Sequence, residues 1–109
     1  MLALRAKMRE IKWFEENSTA EPKLADLLDL LALGTVADVV ALDRNNRILV
    51  SEGVRRIRAG RTRPGITSLL EIAGRSSARL TASDLGFSVG PRLNAAGRLD
   101  DMSTGIECL

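Results

Sequence analysis

Apolar residues recur at helical spacing along almost the whole chain, and glycine, proline and Asn-Ser clusters cut that pattern into short pieces. Leu4, Met8 and Ile11 mark a first helix from Leu2 to Glu16, closed by Asn17-Ser18-Thr19. After Glu21-Pro22, Leu24, Leu27, Leu28 and Leu31 follow the i, i+3, i+4, i+7 rule and form an apolar stripe. Gly34 is expected to interrupt it. Thr35 then caps a short helix over Val36 to Val40, a run whose β-branched residues equally suit a buried strand. Asp43 is the natural cap of a helix to about Ala59, with Ile48, Leu49 and Ile57 inward and Gly60 as its stop. Pro64 suits the first position of a helix through Ala73 that Gly74 closes. Thr81 or Ser83 opens another around Leu85 and Phe87, Gly90-Pro91 breaks it, and a loop of small residues is expected to Gly97. Asp101 and Ser103 offer caps for a last helix that has barely begun at Leu109. A helix stopped so early, with apolar residues near both ends that lack obvious partners, is the pattern of a segment cut from something larger.

At 109 residues, 45% hydrophobic and 28% charged with a net charge of +2, the chain has the size and apolar content of one folded domain rather than a disordered one. No run approaches the ~18 apolar residues of a membrane span. Arg5, Lys7, Arg9 and Lys12 intersperse the first stretch, which therefore does not read as a signal peptide, and the cytoplasm is the default compartment. Cys108 is the sole cysteine, and histidine and tyrosine are absent. These absences exclude an intrachain disulfide, a cysteine or histidine metal site, a Ser-His-Asp triad and histidine acid/base chemistry within these residues. A metal here would need hard oxygen ligands, which points to Mg²⁺ or Mn²⁺.

The small net charge hides an asymmetry. Met1–Asp43 carries 5 basic and 8 acidic residues, Arg44–Arg98 carries 11 basic and 3 acidic, and Leu99–Leu109 carries 3 acidic and none basic. Every basic residue of the middle block is arginine, whose planar fork matches phosphate oxygens. With few aromatics, such a block suits backbone contact more than base stacking. It also suits a solvated helical face, and charge alone does not separate the two.

Two segments stand out from a plain helical domain. Leu33-Gly34-Thr35-Val36-Ala37-Asp38-Val39-Val40 places one carboxylate in an apolar run, where it must be paired, hydrogen-bonded, metal-bound or turned to solvent. Gly90-Pro91-Arg92-Leu93-Asn94-Ala95-Ala96-Gly97-Arg98 combines small residues with two arginines and an amide. It suits either a phosphate or a lock between two elements through Asn94 and Arg98.

These two segments carry a resemblance. The stretches LLDLLALGTVADVVALDRNNR (27–47) and ASDLGFSVGPRLNAAGRLDD (82–101), with Arg56-Ile57-Arg58-Ala59-Gly60 and Arg63-Pro64-Gly65-Ile66 between them, resemble an internal portion of the RecJ family of single-strand-specific DNA exonucleases, in the DHH phosphoesterase superfamily. The resemblance implies a two-metal site for Mn²⁺ or Mg²⁺, most of whose aspartate and histidine ligands lie in motifs outside this chain. Asp38 matches the last metal-ligand motif and takes a catalytic, metal-ligand role. Arg92, Asn94 and Arg98 match a motif beside the interdomain cleft and take a DNA-phosphate or interdomain role. Ala41 stands where the family usually has proline, which loosens the turn after Val40.

The expected architecture is mainly α: a helical fragment of about five or six helices from an α/β DHH-type parent, with at most one or two short strands, at Val36–Val40 or Leu85–Val89. Residues 1–43 would end the catalytic domain, 44–98 form an arginine-rich segment, and 99–109 begin an interdomain helix. The implied activity is 5′-to-3′ hydrolysis of single-stranded DNA in recombination and repair, with the fragment inactive alone. The implied partners are single-stranded DNA, the missing DHH and C-terminal domains of the same polypeptide and, through an uncovered apolar face, a second copy; no membrane is implied. The alternative is a non-catalytic arginine-rich module that binds nucleic acid or serves as a structural linker.

Overall fold

The structure, a computed structural model, describes residues 2–99 and 102–109. It is mainly helical, and no strand occurs among the described residues. The helices are α1 (Leu2–Glu10), α2 (Trp13–Glu16), α3 (Leu28–Ala37, entered through a 3₁₀ turn at Leu24–Leu27) and α4 (Arg44–Arg58). They continue with α5 (Pro64–Ile72), α6 (Ala82–Asp84), α7 (Gly90–Leu99) and α8 (Ser103–Cys108).

Helix ends follow local chemistry. The Asp43 side chain accepts from the Asn46 N–H at 2.8 Å and starts α4, and Pro64 occupies the first turn of α5. Thr81 and Asp84 form a reciprocal capping box at α6. Gly60 and Gly74, at φ 71° and 65°, follow α4 and α5, where the left-handed backbone turns the chain back on the helix.

Four expectations are corrected. The first helix is broken at Lys12, whose φ of 55° ends α1, so Leu2–Glu16 is not continuous. α3 runs straight through Gly34 and takes in Val36, because its hydrogen-bonded turns outweigh the modest penalty of one mid-helix glycine. Ile57 is buried as expected, but Ile48 is exposed, and the face of α4 that Ile57 shares is completed by Val50 and Val54. The stretch after Gly90 is helix α7 rather than a loop, because Pro91 falls just after the π-helical turn at Leu85–Val89, where the regular ladder is already interrupted and a residue without an N–H is accommodated. Asp101 lies outside the described residues.

The Leu85–Val89 stretch is a π-helical turn joining α6 to α7, so residues 82–99 form one helical path with a local bulge. The core sits where α3, α4, α5 and this path meet, with Ala32, Leu33, Val54, Ile57, Ile66, Leu70, Leu80, Leu85 and Val89 buried. α3 and α4 cross closely at Gly53, where an added Cβ would fall 2.5 Å from the Ala32 Cβ. α1 contributes nothing to this core; Leu2, Leu4 and Ile11 stay exposed, and Arg5 and Arg9 tether the helix to Glu21. The radius of gyration of 15.6 Å accordingly exceeds the ~13 Å of a compact chain this long.

Candidate functional site

The two unusual segments meet. Asp38 at the end of α3 and Asn94 on α7 line one pocket of about 240 Å³, with Leu30, Leu33, Ala37 and Leu93 in its wall. The approach is close because position 90 is glycine: an added Cβ would lie 2.9 Å from the Ala37 Cβ. Gly34 lines the same pocket, and nothing lies within 4 Å of the Cβ it lacks.

Asp38 is the C-cap of α3, with its N–H on the Gly34 carbonyl at 3.0 Å. The chain then turns by a Schellman arrangement, Val40 N–H to Thr35 O at 3.1 Å and Val39 N–H to Val36 O at 3.2 Å. Val39 therefore occupies the left-handed region at φ 54°, which a β-branched residue adopts only under strain. The Asp38 side chain is exposed and makes no hydrogen bond or ion pair with any described residue.

The three motif residues of α7 do not act together. At about 100° per residue, Asn94 and Arg98 lie one turn apart on one face, and Arg92 lies about 160° around the helix from Asn94. The Arg92 Nη1 donates instead to the Ser88 carbonyl, one turn back in the π segment. Arg98 is exposed.

A second carboxylate in an apolar run, Asp29 of Leu28-Asp29-Leu30, escaped the sequence reading. It is 2% exposed and fully engaged. Its oxygens accept from Arg63 Nη1 at 2.6 Å, Arg63 N–H at 3.0 Å, Thr62 Oγ1 at 2.9 Å and Leu30 N–H at 2.8 Å. The signal was available, since the argument applied to Asp38 applies equally to Asp29.

The arginine block divides by what each guanidinium touches. Arg55, Arg56, Arg63 and Arg75 pair with Glu52, Asp26, Asp29 and Asp84. Arg55 donates through two nitrogens to Glu52 and holds that carboxyl below its usual range, against a smaller opposing effect of desolvation. Arg47 and Arg92 donate to the nearby backbone carbonyls of Leu42 and Ser88, and Arg58 reaches across to the carbonyl of Leu80. Arg44, Arg61, Arg79 and Arg98 make no hydrogen bond or ion pair with described residues. The block is thus part scaffold and part free cation.

Asp38 supplies one hard oxygen donor, and no group of three potential metal ligands occurs among the described residues. The donor set therefore fits a metal centre only as a contributor whose remaining ligands come from elsewhere. The pocket brings together one free carboxylate and one amide, and no arginine among the described residues lines it, so the parts are not a complete catalyst.

Comparison with known proteins gives the family. Over all 109 residues the chain is 69% identical to the single-stranded-DNA-specific exonuclease RecJ of Dickeya dadantii and 65% identical to that of Escherichia coli, in each case matching 19% of the relative's length. It is 36% identical over 84 residues, 77% of the chain, to the RecJ of Bacillus subtilis, where it matches 11% of the relative. The chain belongs to the RecJ family as a segment spanning about a fifth of the length of the first two of these relatives. No family model matches it, and no solved structure matches it significantly.

Proposed function

We propose that these residues are an inner segment of a metal-dependent 5′-to-3′ exonuclease that hydrolyses single-stranded DNA to mononucleotides in recombination and repair. Residues 1–43 close its catalytic domain, 44–98 form the arginine-rich connection, and 99–109 lead to the next domain. The observation that carries the reading is the free Asp38 carboxylate on a pocket shared by both motif segments.

In this reading Asp38 contributes one oxygen ligand to a centre of Mn²⁺ or Mg²⁺ ions completed by the rest of the polypeptide. When bound, such ions would supply Lewis-acid activation of a water and of the phosphodiester, with the Asp38 carboxylate as one of their ligands. Within the chain, the Gly90–Ala37 contact and the Schellman turn hold the carboxylate at the pocket rim. Asn94 and Arg98 offer an amide and a cation on the face of α7 that borders the pocket, where they bind phosphate or fix the neighbouring domain. Val39 (88% exposed) and Phe87 (85% exposed) line an apolar groove of about 450 Å³ with Val40 and Leu42. The missing domains of the same polypeptide cover this groove, and in their absence the isolated chain self-associates. No helix among the described residues is long and apolar enough to cross a membrane, and a cytoplasmic place suits an enzyme of DNA.

The test is Asp38→Asn in the full-length protein. Turnover of 5′-labelled single-stranded DNA in Mn²⁺ is expected to vanish, with fewer Mn²⁺ bound per molecule by calorimetry and an unchanged melting curve. Near-normal turnover and metal binding would remove the ligand role. The isolated chain is expected to be inactive; Mn²⁺-dependent shortening by the pure chain that disappears in Asp38→Ala would overturn that. The alternative, a non-catalytic binding module, draws on the unpartnered Arg44, Arg61 and Arg79. It predicts that the isolated chain binds single and double strands alike, with affinity falling steeply in salt.

A further inference from the structure

Arg75 and Arg92 come from different elements and converge on one residue. Arg75 leaves the turn after α5, where its N–H is fixed on the Leu70 carbonyl at 2.9 Å, and its Nε donates to the Ser88 Oγ at 3.3 Å. Arg92 reaches the backbone carbonyl of the same Ser88 from the first turn of α7. Ser88 is buried in the π-helical turn, an irregularity that breaks the regular ladder between α6 and α7.

The charges at this notch do not balance. Asp84 is the one carboxylate paired with either guanidinium among the described residues, with its Oδ1 3.5 Å from Arg75 Nε. Its other oxygen is engaged by the Thr81 N–H and hydroxyl, each at 2.9 Å. Arg92 has no carboxylate partner among the described residues, so the two guanidinium groups and Asp84 together carry a net charge of +1. The two guanidinium groups hold different atoms of Ser88, the Oγ and the carbonyl oxygen. Each spends one donor on Ser88, and each keeps others from its set of five for a ligand. The Arg75 side chain is 55% exposed, and Arg92 is exposed as well.

We infer that Arg75 and Arg92, braced on Ser88, form a binding notch for a phosphodiester group of single-stranded nucleic acid, on the opposite face of α7 from Asn94. The inference rests on the proposed function and deepens it. α7 is about 10 Å across with its side chains. A strand with one phosphate at the Asp38 pocket thus passes this helix and offers a later phosphate to the far side. Arginine's fork suits that ligand, because it meets two phosphate oxygens at once. Arg75 thereby gains a substrate-holding role away from the reacting bond.

The test uses the full-length protein with Arg75→Gln and Arg75→Lys. Arg75→Gln is expected to raise KM for a single-stranded oligonucleotide about tenfold, more than it lowers kcat. It should also flatten the log–log salt dependence of binding by about 0.7, the slope of one phosphate contact on a single strand. Arg75→Lys, which keeps the charge without the fork, should keep the salt slope and fall between the two in KM. Unchanged KM and slope in Arg75→Gln, in a protein that melts like wild type, would overturn the notch while leaving the exonuclease reading intact. If wild type does not cleave single strands at all, that reading fails, and the salt slope for the uncleaved oligonucleotide still decides the notch. Inorganic phosphate that inhibits wild type more than Arg75→Gln, with equal DNA affinity in both, would mean that the site holds free phosphate, and would overturn the strand contact.

Discussion

Asp29 and Asp38 are nine residues apart on the same helix, each set in an apolar run, and they end in opposite circumstances. Nine residues turn a helix by about half a revolution, which sends the two carboxylates to opposite sides of α3. Asp29 enters the interior and finds four donors from the Thr62-Arg63 loop and its own helix. Asp38 reaches the end of the helix and finds none among the described residues. A carboxylate in an apolar run signals that something must hold it, and only its position says whether the holder is inside the chain. Asp29 is a structural tie between α3 and the start of α5; Asp38 is available to a partner.

The turn after Asp38 sharpens the contrast. α3, α4 and α5 end in the same hydrogen-bonded arrangement, with the left-handed position filled by Val39, Gly60 and Gly74 respectively. Glycine takes that backbone freely, whereas valine is strained there. The strained member of the three stands next to the free carboxylate.

The contrast yields expectations that descend in size. Asp29→Ala should destabilise the chain by about 3 kcal/mol, since it strands Arg63 and removes the tie to α5, whereas Asp38→Ala should stay within about 0.5 kcal/mol. Urea unfolding of the two variants checks this, and equal losses would end the distinction. Gly90→Val should cost about 2 kcal/mol by forcing α7 away from Ala37, and should disturb the Asp38 pocket more than the Asp29 tie. Amide exchange at α3 and at the α4–α5 loop separates the two responses.

Thr81→Ala should cost about 1 kcal/mol at neutral pH through loss of the α6 cap. Hydrogen bonds from the Thr81 N–H and then its hydroxyl hold the Asp84 carboxyl below its usual range; desolvation opposes them, and Arg75 adds a smaller effect. A carboxyl whose pKa falls on folding adds stability above its unfolded value of about 3.9, and that stability is lost as pH falls through the folded value. The penalty of Thr81→Ala should therefore shrink at pH 2.5; an equal penalty at both pH values would remove Asp84 from the account. Smallest of all, Val39→Gly should stabilise by about 0.5 kcal/mol, relief of strain being partly offset by unfolded-chain entropy, whereas Gly60→Val should cost more than 1 kcal/mol. Melting curves of the pair test whether the strain lies at Val39.

Most of the helical pieces were readable from residue order. Asp43, Pro64, Gly60, Gly74 and Thr81 act within a few residues of themselves, through hydrogen bonds and backbone dihedrals that neighbours decide. The same local logic failed at Gly34 and at Gly90-Pro91, where turn-forming residues are absorbed into helices. Gly90 then serves as a contact surface for Ala37 rather than as a breaker. The inward face of α4 was also misjudged, because Ile48 and Val50 are equally apolar and only the position of α3 selects between them.

For the site, residue order identified Asp38 as a carboxylate needing an account, Arg92, Asn94 and Arg98 as a polar set, and the middle block as rich in a phosphate-binding side chain. Those are statements about residue type and spacing along one chain. Tertiary structure decided that Asp29 is bonded and Asp38 free, that Arg92 turns away from Asn94 and Arg98 to Ser88, which Arg75 also reaches, and that seven of the eleven arginines of the block are spent on carboxylates and carbonyls. The physical reason is that a charge is settled by what lies within a few ångströms of it, and for Asp29 and Arg63, or Arg75 and Ser88, those neighbours are distant in sequence.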